Sequence, residues 1–543
     1  MQLFRALVRA SRWSLVAALV ASVASGLGSA LMVAQINEAL RVPRDQLTSV
    51  GLAFAAVALA ALVTRWASET LFVQISQRAL ASLRMQISTL MVDAPYRHVE
   101  VHGAARLLAV LIDDVRTVAE LFVTLPNLTM HGAVVAGCLV YLGVLSWKVV
   151  VFAIGFTVLG AIGYSYAQGR AFGHLREARA AQDALVGNFR ALCDGAKELR
   201  MHRPRRRAFL SPVLSGAVER VRRHHTRGMT IYAASETWGT LMFFVFIGLV
   251  LFVLGRALDV PSEALSGYAL IFLYLVLPMD NLLKAIPSIN RTRIALERID
   301  AATAGLVQRP DAAARQAADD LAPAGFERLT LAGVTHAYHR EQEDRSFTLG
   351  PIDFELGRGE IVFLIGGNGS GKTTLAKLVV GLYAPEGGQV LLDGRPVGDA
   401  DRDGYRQLFS TVFSDCFLFD QLLGLGADLD RRARGWLREL ELDRKVTVAD
   451  GQLSTTALSA GQRKRLALLV AYLEDRPVYV FDEWAADQDP SFKAIFYERL
   501  LPELRARGKT VLVITHDDRY FHIADRCVEL DAGQLRARAS AAP

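Results

Sequence analysis

The string Gly366-Gly367-Asn368-Gly369-Ser370-Gly371-Lys372-Thr373 follows an apolar run, Ile361–Ile365, and precedes a helix-forming run at 374–382. It fits the pattern GxxxxGK[ST], in which glycines let the backbone curl until its N–H groups and a helix N-terminus face phosphate groups. Lys372 then reaches the β and γ phosphates, and Thr373 offers a hydroxyl to Mg²⁺. With Thr374 opening the helix, the sequence predicts a cradle for a nucleoside triphosphate built from Gly366, Asn368, Gly369, Ser370, Gly371, Lys372, Thr373 and Thr374.

A second apolar run, 478–481, ends in Asp482-Glu483. A carboxylate closing a buried strand suits the Mg²⁺ shell, and the one beside it can orient or deprotonate an attacking water. Asp-Glu pairs are common in surface turns, so the weight comes from position, downstream of the phosphate loop. His516 directly follows another strand-like run at 511–515, which places a titratable ring at a strand end.

The string Leu458-Ser459-Ala460-Gly461-Gln462 discriminates further. With it the chain resembles the ATP-binding cassette (ABC) transporter family, whose signature reads LSGGQ; Ala460 departs from the usual glycine. The resemblance implies that the nucleotide is ATP, that Ser459 and Gly461 contact the γ phosphate held by the other subunit's loop, and that Gln462 belongs to the same nucleotide-binding set. It also implies that Tyr338 stacks on adenine, that Asp489 lies at the interface of two cassettes, and that His516 contacts the γ phosphate. Where the family expects a glutamine the chain reads Val412-Phe413-Ser414-Asp415-Cys416, placing Ser414 at that position. Serine is too short to span the same distance, so any contribution to Mg²⁺ passes through water or Asp415.

These residues need elements to hold them, and the chain supplies two different settings. Six stretches without a charged side chain, at 13–37, 46–64, 121–147, 149–168, 237–255 and 264–279, are about long enough to cross a ~30 Å hydrocarbon core. The last is short, and tilt or a Lys284 side chain reaching for water makes up the difference. Arg5, Arg9 and Arg12 precede the first stretch as they would in a signal peptide. Its apolar run outlasts the ~7–15 residues of a signal core, which predicts an uncleaved helix.

The segment after the fourth stretch carries Arg170, Arg176, Arg179, Arg190, Lys197, Arg200 and the cluster Arg203 to Arg207, whereas the alternate loops are short and mixed in charge. Basic residues stay on the cytoplasmic side, so both chain ends are expected there, with the chain crossing the cell's inner (plasma) membrane several times. The basic cluster beside a leaflet reads as orientation and headgroup contact, with no nucleic-acid partner expected. The segments 67–120 and 169–236 are expected to continue the spans as helices beyond the membrane.

The long apolar runs stop near residue 300, and an Ala- and Asp-rich stretch with Pro310 and Pro323 follows. The expected organisation is therefore an α-helical transmembrane domain of six spans at 1–300, a linker at 301–325 and an α/β P-loop nucleotide-binding domain at 326–543, with a mainly parallel sheet. Hydrophobic residues at 52% against 21% charged exclude disorder, and the net charge of +6 does not choose among anionic partners. Cys138, Cys193, Cys416 and Cys527 are too scattered for a disulfide framework or a zinc motif.

The layout resembles an exporter-type half-transporter over essentially the whole chain. More narrowly, LSAGQRKRLALL at 458–469, YLEDRPVYVFDEWAADQDP at 472–490 and GKTVLVITHDDRY at 508–520 are similar to the cyclic peptide and siderophore exporters, pyoverdine-precursor exporters among them. That resemblance implies a homodimer that exports a cyclic peptide or peptide siderophore precursor, with siderophore import or lipid flipping as alternatives. It assigns Glu483 and His516 to catalysis and Thr373, Asp482 and Ser414 to the metal. Asn127, His131, Asp280 and Lys284 are polar groups in or beside the spans, where burial is costly without a purpose. They are candidates for the substrate path or simply for the water-facing span ends.

Overall fold

The computed structural model describes residues 11–145, 147–254, 262–304, 326–340, 345–425 and 428–537. Arg5, Arg9, most of the expected linker and the end of the fifth span lie outside the described residues. The chain forms two compact units, one of Met1–Leu90 with Ala105–Ala304, the other of Met91–Ala104 with Gly305–Pro543.

The first unit is helical. Its long helices are α1 (Arg12–Ala39) and α2 (Leu47–Asp93), then, after the short α3 (Tyr96–His102) of the other unit, α4 (Val115–Leu145), α5 (Trp147–Asp194), α6 (Ser215–Leu249) and α7 (Ser262–Thr303). Among the described residues, five stretches are long and apolar enough to span a bilayer: Arg12–Ala39, Leu47–Asp93, Trp147–Asp194, Arg203–Val253 and Gly267–Thr303. The third expected span falls on α4, whose 31 residues suffice at ~1.5 Å each. This helix is enclosed by its neighbours through Val118, Phe122, Val134, Cys138 and Leu142. By contrast, only 6% of the apolar stretch of α2 is buried, and Leu52, Leu59 and Leu62 are each more than 60% exposed. Such a surface calls for an apolar cover, as lipid provides. As expected, α2, α5 and α6 run well past the apolar stretches.

Small residues and serines join these helices. A Cβ at Gly26 would sit 2.4 Å from the Met130 carbonyl oxygen, so α1 and α4 touch backbone to backbone. Buried Ser22, Ser68 and Ser76 donate to the carbonyls of Pro126, Ala18 and Ala119 at 2.9, 3.0 and 2.8 Å. Close packing and interhelical hydrogen bonds hold helices together where apolar burial gives no net drive, as in lipid.

The second unit is α/β. A six-stranded sheet runs β12-β11-β3-β10-β9-β6, built from β3 (Ile361–Ile365), β6 (Phe409–Val412), β9 (Val478–Asp482), β10 (Thr510–Ile514), β11 (Arg526–Asp531) and β12 (Gln534–Ala537). All pairings are parallel except β11 with β12. The strands β3, β9 and β10 are buried throughout, as parallel strands covered on both faces must be. Ile361, Phe363 and Ile365 enter one core and Val362 and Leu364 the other, the period-two alternation of a pleated strand.

A second, antiparallel sheet, β2-β1-β4-β5, pairs β1 (Arg328–Arg340) with β2 (Arg345–Gly357) and β4 (Gly387–Leu392), and β4 with β5 (Arg395–Pro396). Register shifts at Leu331, Val334 and His336 interrupt the alternation in β1, which hides this sheet from a pattern reading. The helix after the phosphate loop, α8, spans Lys372–Val379, starting two residues earlier and ending three earlier than expected; Gly381 at φ +71° turns the chain there. Helix α9 spans Ala460–Glu474.

Segment Met91–Ala104 packs within the second unit. Arg97 on α3 pairs with Glu386 at 2.7 Å, and Lys377 of α8 donates to Glu100 at 3.1 Å, with the Tyr383 hydroxyl on the same carboxylate.

Candidate nucleotide site

Strand β3 delivers the chain at full burial to Gly366, where the loop begins. Gly366 has φ +147°, and a Cβ there would lie 2.1 Å from the Leu530 carbonyl oxygen. Gly369 and Gly371 adopt φ +79° and +102°, so the curl is made from positions that disfavour any side chain. Gly371 caps α8, and the first helical residue is Lys372 itself. Lys372 is buried, and its Nζ donates to the carbonyls of Gly366 and Gly367 at 2.9 Å each, at the mouth of the loop. Burial lowers its pKa, while the nearby Glu483 and Asp482 pull the other way. Ser370 presents a buried hydroxyl with no hydrogen-bond partner.

Strand β9 ends at the same place. Asp482 is 1% exposed; its Oδ2 accepts from the Thr373 hydroxyl at 2.9 Å, and its Oδ1 has no partner. Burial raises its pKa, opposed by the Thr373 hydrogen bond. An orphaned buried carboxylate oxygen beside a hydroxyl is a hard-oxygen pair that fits Mg²⁺, which takes one or two protein ligands plus phosphates and water.

Glu483 comes next, in the left-handed region at φ +49°. Strain of this kind, about 1–3 kcal/mol, persists only where surroundings enforce it. The Glu483 N–H donates to Ile514 at 3.1 Å, and its carbonyl accepts from Lys464 at 2.8 Å. Its Oε1 lies 3.4 Å from Nε2 of His516, so the carboxylate and the ring after β10 share one opening.

The signature residues form a second cluster. Ser459 caps α9, and Ser459 and Gln462 satisfy each other's backbone N–H groups at 3.4 and 3.3 Å. A Cβ at Gly461 would sit 2.6 Å from the Asp487 carbonyl oxygen, which explains glycine there. Gln488 donates to Gly461 at 3.0 Å, and Arg465 joins Gln488 and Asp489. Asp489 caps the next helix, and bonds from Ser491 and the Phe492 N–H hold its pKa at about 2. Among the described residues, no hydrogen bond or ion pair joins Ser459, Gly461 or Gln462 to the phosphate loop of the same chain.

The remaining expected residues are placed differently. Ser414 is exposed on the loop after β6, which also carries the exposed Phe417 and Phe419. Tyr338 lies on β1 opposite Phe347, and its side chain is outside the described residues. Asp280 and Lys284 form an ion triad with Glu236, at 2.7 and 2.9 Å from the ammonium, and His131 meets Asn281 at 3.1 Å. Asn127 borders a small gap beside Arg65 and Glu69.

Sequence reasoning missed Lys464, which is 6% exposed and bridges the Glu483 carbonyl to the Asp487 carboxylate at 2.8 Å each. Trp484 donates its ring N–H to the Lys464 carbonyl at 2.7 Å, tying α9 to the turn after β9. No local signal marks it, because Lys464 sits between Arg463 and Arg465 in an ordinary helical context. Lys464→Met should therefore lower kcat about tenfold by releasing the Glu483 turn, the effect of ~1.4 kcal/mol, while KM for ATP changes little. Steady-state ATPase assays check this, with Lys464→Arg expected to restore part of the rate.

The family profile described as ABC transporter matches residues 349–486. The chain is 35% identical over 531 residues to "ATP-binding protein SyrD" of Pseudomonas syringae pv. syringae, covering 96% of this chain and 93% of that protein. It is 25% identical over 502 residues to an "ATP-dependent lipid A-core flippase" of Cupriavidus pinatubonensis, covering 88% and 82%. It is 32% identical over 295 residues to "Mycobactin import ATP-binding/permease protein IrtB" of Mycolicibacterium smegmatis, covering 51% and 48%. Among solved structures, a bacterial Atm1-family ABC exporter with ATP bound shares the fold with a TM-score of 0.74, covering 98% of this chain and 95% of that one at 16% identity.

Proposed function

The chain belongs to the ABC transporter family, and from that premise we propose that it works as a homodimer exporting a cyclic peptide or peptide siderophore precursor across the bacterial inner membrane. ATP hydrolysis drives the transport. Both termini face the cytoplasm in this reading. The observation that supports it is the arrangement within one chain: the phosphate loop, Thr373, Asp482, Glu483 and His516 lie together, while among the described residues the signature cluster makes no hydrogen bond or ion pair with that loop. One chain's Ser459, Gly461, Gln462 and Asp489 then close on ATP held by the partner's phosphate loop.

Within each site, the loop N–H groups and Lys372 bind the β and γ phosphates, Glu483 takes the proton of the attacking water, and His516 steadies the γ phosphate. Tyr338 stacks on adenine. Thr373 and Asp482 hold Mg²⁺, with Ser414 acting through water; the ion supplies neutralisation of phosphate charge. Preorganised charge of this kind is the main source of phosphoryl-transfer catalysis. Helix α8 starts in the phosphate loop and carries Lys377, which holds Glu100 of α3, so a shift of the loop reaches α3 through one short helix.

Cargo rests on the resemblance of 458–469, 472–490 and 508–520 to cyclic peptide and siderophore exporters. An apolar cavity of about 280 Å³ between α4, α5, α6 and α7, lined by Phe156, Tyr164, Phe246 and Phe272 among others, has room for an apolar group of such a cargo. Two further readings have a specific observation behind them, since relatives are named as a lipid A-core flippase and a mycobactin importer. Comparing metabolites released by cells with and without the gene separates them. Loss of a secreted peptide supports the proposal, whereas altered outer-leaflet lipid or reduced siderophore uptake overturns it.

Because Ser414 is exposed and short, Ser414→Ala should change ATPase activity less than about threefold, under ~0.7 kcal/mol. Collapse of basal hydrolysis in that variant would make Ser414 a direct ligand.

A further inference from the structure

On the charged stretches of α5 and α6 beyond their apolar runs, two imidazoles and a carboxylate converge. His174 and Glu177 stand three apart on α5 and so share a face, and His224 reaches them from α6. Nδ1 of His224 lies 2.7 Å from Glu177 Oε2, and Nδ1 of His174 lies 3.7 Å from the same oxygen. One ligand atom from each residue falls within 4.8 Å of the other two. The rings are tilted by 40° with centroids 6.2 Å apart.

The backbone forces this meeting. Gly228, one turn beyond His224, sits where a Cβ would be 2.8 Å from Leu175 Cγ and 3.3 Å from the Ala171 carbonyl oxygen. Ala171 and Ala178 line the same seam at 1% and 4% exposure. The helices are thus pressed together at the level of the cluster, which leaves the side chains little room to part.

Both Nδ1 atoms are shielded from solvent, and among the described residues neither makes a properly angled hydrogen bond, in spite of the short approach to Glu177. A simple imidazolium–carboxylate pair would align its N–H with the oxygen. Two imidazoles and a carboxylate with ligand atoms this close, joined by no aligned hydrogen bond among the described residues, are the donor set of a His₂Glu metal site. Metal–ligand bonds of about 2.0–2.2 Å place tetrahedral ligands roughly 3.3 Å apart, inside the observed spread.

We propose that His174, Glu177 and His224 bind one divalent transition-metal ion of the zinc class, which staples α5 to α6 and leaves a fourth position for water. The site is separate from the nucleotide chemistry and does not depend on the identity of the cargo.

The test uses full-length protein in detergent, prepared without a polyhistidine tag and stripped by chelator. Zn²⁺ is titrated in competition with a chromophoric chelator, and Co²⁺ is added separately for its visible spectrum. One zinc per chain is expected, with the intense absorption of four-coordinate cobalt. His174→Ala, His224→Ala and Glu177→Gln should each weaken binding at least about tenfold, the scale on which even outer partners of a metal act. His225→Ala, altering an exposed neighbour, should bind as the wild type does. His224→Cys keeps a ligand and should retain the metal with a sulfur-to-cobalt band, which separates ligand loss from misfolding. Zinc uptake by the wild type no greater than that of the His174→Ala/His224→Ala double variant would overturn the proposal. Unchanged affinity in His224→Ala would do the same.

Discussion

Glu483→Gln is expected to bind ATP normally and to hydrolyse it at least about 100-fold more slowly, the usual contribution of a positioned general base. The amide keeps the size of the side chain and its place 3.4 Å from His516, yet it accepts no proton. The hydrogen bonds from the Glu483 N–H to the Ile514 carbonyl and from the Lys464 ammonium to the Glu483 carbonyl are unaffected, so the turn at φ +49° is retained and the defect is chemical. Single-turnover hydrolysis alongside nucleotide binding measures both halves. Brisk turnover in the variant would remove Glu483 from the reaction.

The second large effect concerns Lys372. Its ammonium is buried and anchored by two loop carbonyls, with the carboxylates of Asp482 and Glu483 near enough to favour its charged form. Lys372→Ala removes the positive charge from the place where the triphosphate's negative charge is greatest. Hydrolysis should fall about 10²–10³-fold, as when a preorganised donor is deleted, and ATP affinity should fall with it. That joint loss distinguishes Lys372 from Glu483, whose replacement spares binding. Wild-type affinity for ATP in Lys372→Ala would contradict the placement.

The nucleotide site was legible because its chemistry is local in sequence. Phosphate binding needs glycines, a lysine and a hydroxyl in eight consecutive residues, and a strand before and helix after can be read from neighbouring apolar runs. Gly366, Lys372, Thr373, Asp482, Glu483 and His516 do converge. The layer of long helices was equally plain, since uncharged runs of bilayer length allow few other readings.

What escaped the sequence depends on contacts between distant segments. Nothing in Tyr96–His102 announces that this piece of the first half packs in the second unit; its Arg97 and Glu100 find Glu386 and Lys377 nearly three hundred residues away. Lys464 has an ordinary helix context, and its function in holding the Glu483 turn follows only from the crossing of α9 and β9. The bulged β1 breaks the alternation that would mark it as a strand. His174 and His224 are fifty residues apart, joined only because Gly228 lets two helices touch.

The central claim is that ATP draws two copies together with the phosphate loop of each against the signature of the other. The direct measurement mixes two differently tagged Glu483→Gln chains, one carrying Asn368→Cys and the other Ser459→Cys, both with Cys193→Ser, under mild oxidation in membranes. An intermolecular disulfide that forms with ATP and Mg²⁺, and fails to form without nucleotide or in Lys372→Ala chains, is the predicted result. Failure of ATP to increase that cross-link over the nucleotide-free level would contradict the account.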